Sequence, residues 1–510
     1  MAKTSRNIFK LVHVSYFSAT FELVCEHPYF SSWEYDVYLD DKLVLKNNKK
    51  NVFTLFNLKP DTSYMVKVET CEFVDVVYIK TPAPSKVYNV LDYNIDNSGK
   101  TLVSSAIQDV INKADVDSCL YFPKGVYLIT PLFVKSNLTI YLEKDAVLLG
   151  EVDRNKYPII PSLIEDAPGG SWEGVSAPNY ASLITAINVR SFSLVGEGVI
   201  DGNAQNSDWW INHKVMRGAW RPHDIFINRS SNIDIIGVTV RNSASWTIHP
   251  YYSSHLRFID LKIEADKSSP NTDGIDPESS DNVLILGVKF NTGDDCIAIK
   301  SGKIEMVKDH YKPTTNVIIR NCYMGDGHGG VVFGSEASCG IEEVNVSKCY
   351  FDGTDRGFRI KTRRGRGNKA VIQNVVFDNI YMNNVGSGLV INMFYYCDAD
   401  GKSEYVQSKL ALPVDNRTPH LGSFTFKNMQ LINTRICAGY FYGLPEAKIE
   451  EINLENIKVT YTDKDVDKAT PAMMLDCDEL AKGGFYFRNV DKVNIKNVDI
   501  NGQNGEEYNY

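Results

Sequence analysis

Residues 232–240 read NIDIIGVTV, and the same phrase comes back eight more times along the chain. It returns as HLRFIDLKI from 255, NVLILGVKF from 282, NVIIRNCYM from 316 and EVNVSKCYF from 343. Later copies are NVVFDNIYM from 374, SFTFKNMQL from 423, EINLENIKV from 451 and KVNIKNVDI from 492. Each has the form polar-apolar-x-apolar-x-polar-apolar-x-apolar. The alternation is that of a strand with one buried face, and the polar residue in the middle interrupts it. No helical spacing runs through any copy. The phrase therefore reads as two short strands joined by a bend. Most steps are 23–34 residues, and two longer ones must hold insertions.

A unit of this size cannot hide its apolar face alone, so the copies must stack on one another. Leucine-rich repeats have the nearest competing period, but they need a fixed asparagine ladder and a constant length. Turns of variable length point instead to a parallel β-helix, an all-β fold. One helix is predicted over 101–113, with Val103, Ala106, Ile107, Val110 and Ile111 on one face, as a cap for the open end.

Ahead of the repeats, residues 8–81 alternate with a period of two between Pro, Asp and Asn breaks, which predicts an antiparallel β-sandwich. The run Leu58-Lys59-Pro60-Asp61-Thr62-Ser63-Tyr64 resembles the fibronectin type III signature, in which a corner tyrosine bonds back to upstream backbone. TPAPSKV at 81–87 reads as a linker. The expected organisation is a sandwich over 1–84, acting as a spacer rather than as a sugar-binding module, and a β-helix over 85–510.

Composition sets the outer limits. With 43% hydrophobic and 23% charged residues the chain can build a large core, which excludes disorder as its main state. A net charge of −9 argues against nucleic acid or an anionic membrane as partner. No apolar run approaches spanning length. The N-terminus lacks a signal-peptide core, so a cytoplasmic location is expected, or a secreted or periplasmic one for a chain that has lost its leader. Ten cysteines without CxxC pairs give no zinc motif, and neither metal nor cofactor is expected; the oligomeric state is left open, with a monomer favoured.

The chemistry sits where the coils bring acids together. Asp273 lies in Asn271-Thr272-Asp273-Gly274, and Asp294 and Asp295 lie in Gly293-Asp294-Asp295-Cys296, 21 and 22 residues on. That gap is about one coil, so the motifs become stacked neighbours roughly 5 Å apart. Three carboxylates this close repel, which raises at least one pKa and leaves a neutral acid beside charged bases. Glycoside hydrolysis needs that pairing: one acid protonates the leaving oxygen while a carboxylate activates water. One coil further comes Gly327-His328-Gly329, then Arg359-Ile360-Lys361, whose two cations share a strand face. Such a couple could bind an anionic sugar, with Arg359 gripping its carboxylate in bidentate fashion.

The order NTD, GDD, GHG, RIK is similar to that of the polygalacturonase family of glycoside hydrolases, and the resemblance covers about residues 86–510. It implies a right-handed parallel β-helix and inverting cleavage of α-1,4-linked galacturonate. It also implies Asp294 as general acid, Asp273 and Asp295 sharing the attacking water, and His328 tuning the acid. Arg359 and Lys361 would hold the +1 sugar, with Asn271 and a tyrosine as further contacts; Tyr395 matches best and Tyr396 is its rival. An inverting pair implies a carboxyl separation of roughly 6.5–9.5 Å. Gly293 is expected to supply the bend that lets both adjacent aspartates reach the cleft.

Beyond the RIK pair, KTRRGRGNK adds cations, and Arg364 and Arg366 are candidate uronate contacts. Insertions at 145–190, 203–222 and 395–421 carry Trp172, Trp209, Trp210 and Trp220, which could stack on sugars or on each other. These loops could close one end of a groove, and the phrases GVTVRNSASWTIHP and KTRRGRGN look more like bacterial exo-acting members. The expected substrate is polygalacturonate or its oligomers. Endo cleavage, rhamnogalacturonan or xylogalacturonan hydrolysis, a Ca²⁺-dependent lyase and a non-catalytic sugar-binding β-helix are the alternatives.

Overall fold

The computed structural model describes residues 4, 5 and 7–510. The second residue of every phrase falls on one ladder. Ile233, Leu256, Val283, Val317, Val344, Val375, Phe424, Ile452 and Val493 pair in parallel, each with the next. All but Val493 are buried. The stack is a parallel β-helix, and its long sheet runs 23 strands.

The polar residue in the middle of each phrase has a definite physical task. Gly237, Asp260, Gly287, Asn321, Lys348, Asn379, Asn428, Asn456 and Asn497 all have φ between 52° and 81°. Each is the left-handed residue that turns one short strand into the next, which is why Asn, Asp and Gly dominate the position.

Each coil closes with a third strand. Ile297–Ile299, Val331–Gly334, Arg356–Lys361, Ser387–Asn392 and Cys437–Tyr442 pair in order along this face. Bridges Ile248–Ile275 and Ile275–Ile297 carry the column upstream. The four motifs lie on this face or in the turn that leads into it.

The predicted helix is Ser104–Lys113, with Ile107, Val110 and Ile111 buried. It starts three residues later than expected because Ser98–Leu102 is already a strand, paired with the segment at Val126–Leu128. No helix among the described residues is long and apolar enough to cross a membrane.

The N-terminal segment forms a three-stranded and a five-stranded sheet over their own core of Phe21, Tyr35, Phe53, Val66 and Val68. Tyr64 Oη accepts a hydrogen bond from Lys59 N at 2.7 Å, the back-bond its sequence context implied. The sandwich is not a free spacer. Val52 packs with Ile236, Ile259 and Leu286 of the helix, and Arg320 holds the buried Glu22 through two hydrogen bonds of 2.6 and 3.0 Å. Two bends are glycine because of this contact: a Cβ on Gly237 would stand 2.2 Å from the Phe56 ring, and one on Gly287 2.7 Å from Val52.

Candidate active site

Asp273 and the Gly293-Asp294-Asp295 turn sit on adjacent coils, joined by a hydrogen bond from Gly274 N to Asp295 O at 3.0 Å. Gly293 is required by close approach: a Cβ there would lie 2.5 Å from Ser269 Oγ and 2.6 Å from Asp266 O. One oxygen from each of Asp273, Asp294 and Asp295 lies within 4.8 Å of the others. These nearest oxygens are closer than the roughly 6.5–9.5 Å expected between the carboxyl groups of an inverting pair. Asp273 Oδ1 and Asp295 Oδ1 are both buried without a hydrogen-bond partner among the described residues.

Lys361 Nζ holds Asp295 Oδ2 at 2.7 Å, and Arg359 Nη1 lies 3.9 Å from Asp295 Oδ1. The bidentate grip expected of Arg359 is not available in this arrangement. Its other Nη lies 2.7 Å from Met473 Sδ, and its side chain is 6% exposed. Lys361 is the cation of the couple that lines the cleft, with Asn271, Asp273, Asp294 and Tyr395. Tyr396 is not among the cleft's lining residues, so Tyr395 is the better placed of the two. The cleft encloses about 390 Å³.

His328 Nδ1 lies 3.1 Å from Asp294 Oδ1. That hydrogen bond raises the imidazole pKa, and the charges of Asp294 and Asp295 add to it. Burial opposes the charge of Asp294, but His328, Lys361 and Lys300 outweigh it and lower its pKa. Burial and the charges of Asp276 and Asp294 push Asp273 well above the usual carboxylate range. In the unliganded protein these shifts favour the neutral form of Asp273, the carboxylate of Asp294 and the protonated form of its partner His328.

Two predicted contacts are elsewhere. Arg364, 1% exposed in its side chain, pairs with Glu446 at 2.6 and 2.9 Å and donates to the carbonyls of Tyr405, Val406, Ser408 and Leu410. It anchors the 395–421 loop from inside. Arg366, also buried, donates to Asp398 at 2.7 Å, which Arg363 holds as well. Of the four loop tryptophans, Trp209 is buried between Tyr157 and Tyr180, and Trp210 donates to Ser243 O. Trp172 and Trp220 stack on each other at 4.6 Å on the cleft wall.

Sequence reasoning missed Asp276, Lys300, Glu336 and Trp246. Lys300 Nζ lies 3.1 Å from Glu336, 3.7 Å from Asp276 and 4.3 Å from the centre of the Trp246 ring. A charge ending the apolar strand IAIK, and another just after VVFGS, were the available signals. Two loops meet beside the cleft. Lys303 N donates to Gly174 O at 2.7 Å, and Lys303 Nζ reaches Asp398 at 3.5 Å and Glu173 at 4.0 Å. The hairpin at 171–176 and the 395–421 loop thus meet on one lysine.

Comparison with known proteins bears on the fold and the family. A probable polygalacturonase of Vitis vinifera is 34% identical over 287 residues, which is 55% of this chain and 57% of that protein. The chain thus spans little more than half of that relative. An exo-poly-alpha-D-galacturonosidase of Dickeya chrysanthemi is 27% identical over 420 residues, covering 72% of this chain and 67% of its own. The solved family 28 exopolygalacturonase of Yersinia enterocolitica superposes with a TM-score of 0.71 at 21% identity, over 98% of this chain and 97% of that one, and so shares the fold. The sequence profile of the glycosyl hydrolases family 28 matches residues 171–477, a stretch that holds all four motifs. By that match and by the coils that carry it, the chain belongs to family 28 of the glycosyl hydrolases.

Proposed function

We propose that this protein hydrolyses α-1,4-linked galacturonic acid in polygalacturonate or its oligomers, from a chain end. The observation that carries the reading is the pair of orphaned buried oxygens on Asp273 and Asp295, beside an Asp294 that is hydrogen-bonded to His328. A water donating two hydrogen bonds of about 2.8 Å spans acceptors about 4.5 Å apart. The trio's spacing of under 4.8 Å suits one such water. That water attacks the anomeric carbon and gives its proton to Asp295. Asp294 protonates the leaving oxygen with a proton held in the resting enzyme on His328. Lys361, bonded to Asp295 and lining the cleft, receives the sugar carboxylate.

The stereochemical outcome is proposed as inversion, because the water and the leaving group are served by different carboxylates. Proton NMR of the first product formed should show the anomer opposite to the substrate's; a retained configuration would mean a covalent sugar on one of the three aspartates.

End-cutting is supported by the meeting of the 171–176 hairpin and the 395–421 loop at Lys303, beside the cleft. With a defined galacturonate oligomer, monomer or dimer should be the only early product, and EDTA should leave the rate unchanged. A spread of mid-size fragments would favour the endo mode. A chelator-sensitive product with unsaturated-uronate absorbance would replace hydrolysis by lyase chemistry.

A further inference from the structure

Arg221 lies in the 203–222 insertion, yet it is only 4% exposed. Its Nη1 donates to the carbonyls of Ala244 and Pro270 at 2.6 and 3.0 Å. Its Nη2 donates to Asn271 Oδ1 at 2.6 Å. The ring of Trp172 lies 5.1 Å from the guanidinium, and Trp172 is itself stacked on Trp220. Nothing in the sequence tied this arginine to the NTD motif, 50 residues on.

A guanidinium has only donors, so the Asn271 atom it bonds must be the oxygen. The amide can no longer flip. Its NH2 group, with two donors, is left for the cleft that Asn271 lines, and no acceptor among the described residues is bonded to it. Asn271 itself is held at φ 56°, a left-handed setting that asparagine tolerates, two residues before Asp273.

We infer that Arg221 is a positioning residue that turns the Asn271 amide donors toward an acceptor oxygen of the bound uronate, beside Asp273, and ties that setting to the Trp172–Trp220 stack. The inference rests on the hydrolase reading above. It assigns a task to one insertion loop: the loop carries into the site the cation that orients a substrate contact.

The test is a double-mutant cycle on a galacturonate oligomer. Arg221→Lys keeps the charge but cannot reach both carbonyls and the amide with one planar fork. It should lower kcat/KM about tenfold, and Asn271→Ala by a similar factor. In the Asn271→Ala background, Arg221→Lys should cost nothing more, because the group it acts through is gone. Losses that multiply to about a hundredfold, or full activity in Arg221→Lys, would overturn the inference. Should Arg221→Lys fail to fold, Asn271→Asp decides: it keeps a partner for Arg221 but has no donors, so it should be as impaired as Asn271→Ala. Native-like activity in that variant overturns the inference too. A wild-type chain without hydrolysis sinks the hydrolase reading itself, whereas an active wild type with multiplying losses sinks the Arg221 assignment alone.

Discussion

Asp294→Asn should lower kcat on galacturonate oligomers by about 10²–10⁴-fold, the usual loss when a general acid is removed. It should leave oligomer affinity unchanged or tighter, since an anionic substrate then meets one negative charge fewer. The assignment has a rival, because burial and neighbouring charges raise the pKa of Asp273 while that of Asp294 is lowered. An aryl galacturonide with a good leaving group separates the two, as its departure needs no protonation. On that substrate Asp294→Asn should regain most of its rate. Asp273→Asn and Asp295→Asn should not, if they position and deprotonate the water. A rescue seen in Asp273→Asn instead would move the acid to that residue.

The pH profile carries the same assignment. His328 is raised by its carboxylate partner, so it keeps its proton below its ordinary value and for some distance above it. Asp294 is lowered, so it keeps its charge to a lower pH than an ordinary aspartate. The ion pair therefore exists between those two limits. Its contribution to stability is lost as pH falls through the Asp294 value or rises through the His328 value. Activity that draws on the imidazolium proton should fall along a basic limb set by His328, and His328→Asn should remove that limb.

The fold was legible because its signal repeats. A single NIDIIGVTV could be any strand pair, but nine copies put apolar positions in one ladder and left-handed residues at one bend. The same periodicity brought Asp273 and Asp294 together, since residues one coil apart must be neighbours. What the period does not encode was misread or left unread. The distances between carboxylate oxygens depend on side-chain packing, which the period does not record. The opposite pKa shifts of Asp273 and Asp294 follow from burial and from charges such as Asp276 and Lys300, which no motif marked. The sandwich looked separable because its linker is rich in proline, while its contacts with the helix are made by side chains such as Phe56 and Val52, without a pattern of their own.

Arg364 shows the same limit and gives the second large effect. In the run KTRRGRGNK it looks like one more solvated cation near the +1 sugar. Its partners, Glu446 and the carbonyls of 405–410, are 41–82 residues away in sequence and invisible to any local reading. Glu446 is only 5% exposed in its side chain, so Arg364→Met would strand a carboxylate out of water along with several carbonyl groups. Breaking a buried pair from one side costs about 3–5 kcal/mol, most of it the penalty on the partner left behind. Denaturant unfolding should register a loss of that order, and limited proteolysis should find new cuts within 395–421. The double change Arg364→Met with Glu446→Leu should recover much of the loss, because an apolar pair leaves no buried charge unpaired. If Arg364→Met instead unfolds like the native chain while KM for the oligomer rises, Arg364 is a sugar contact after all, and the loop is held by something else.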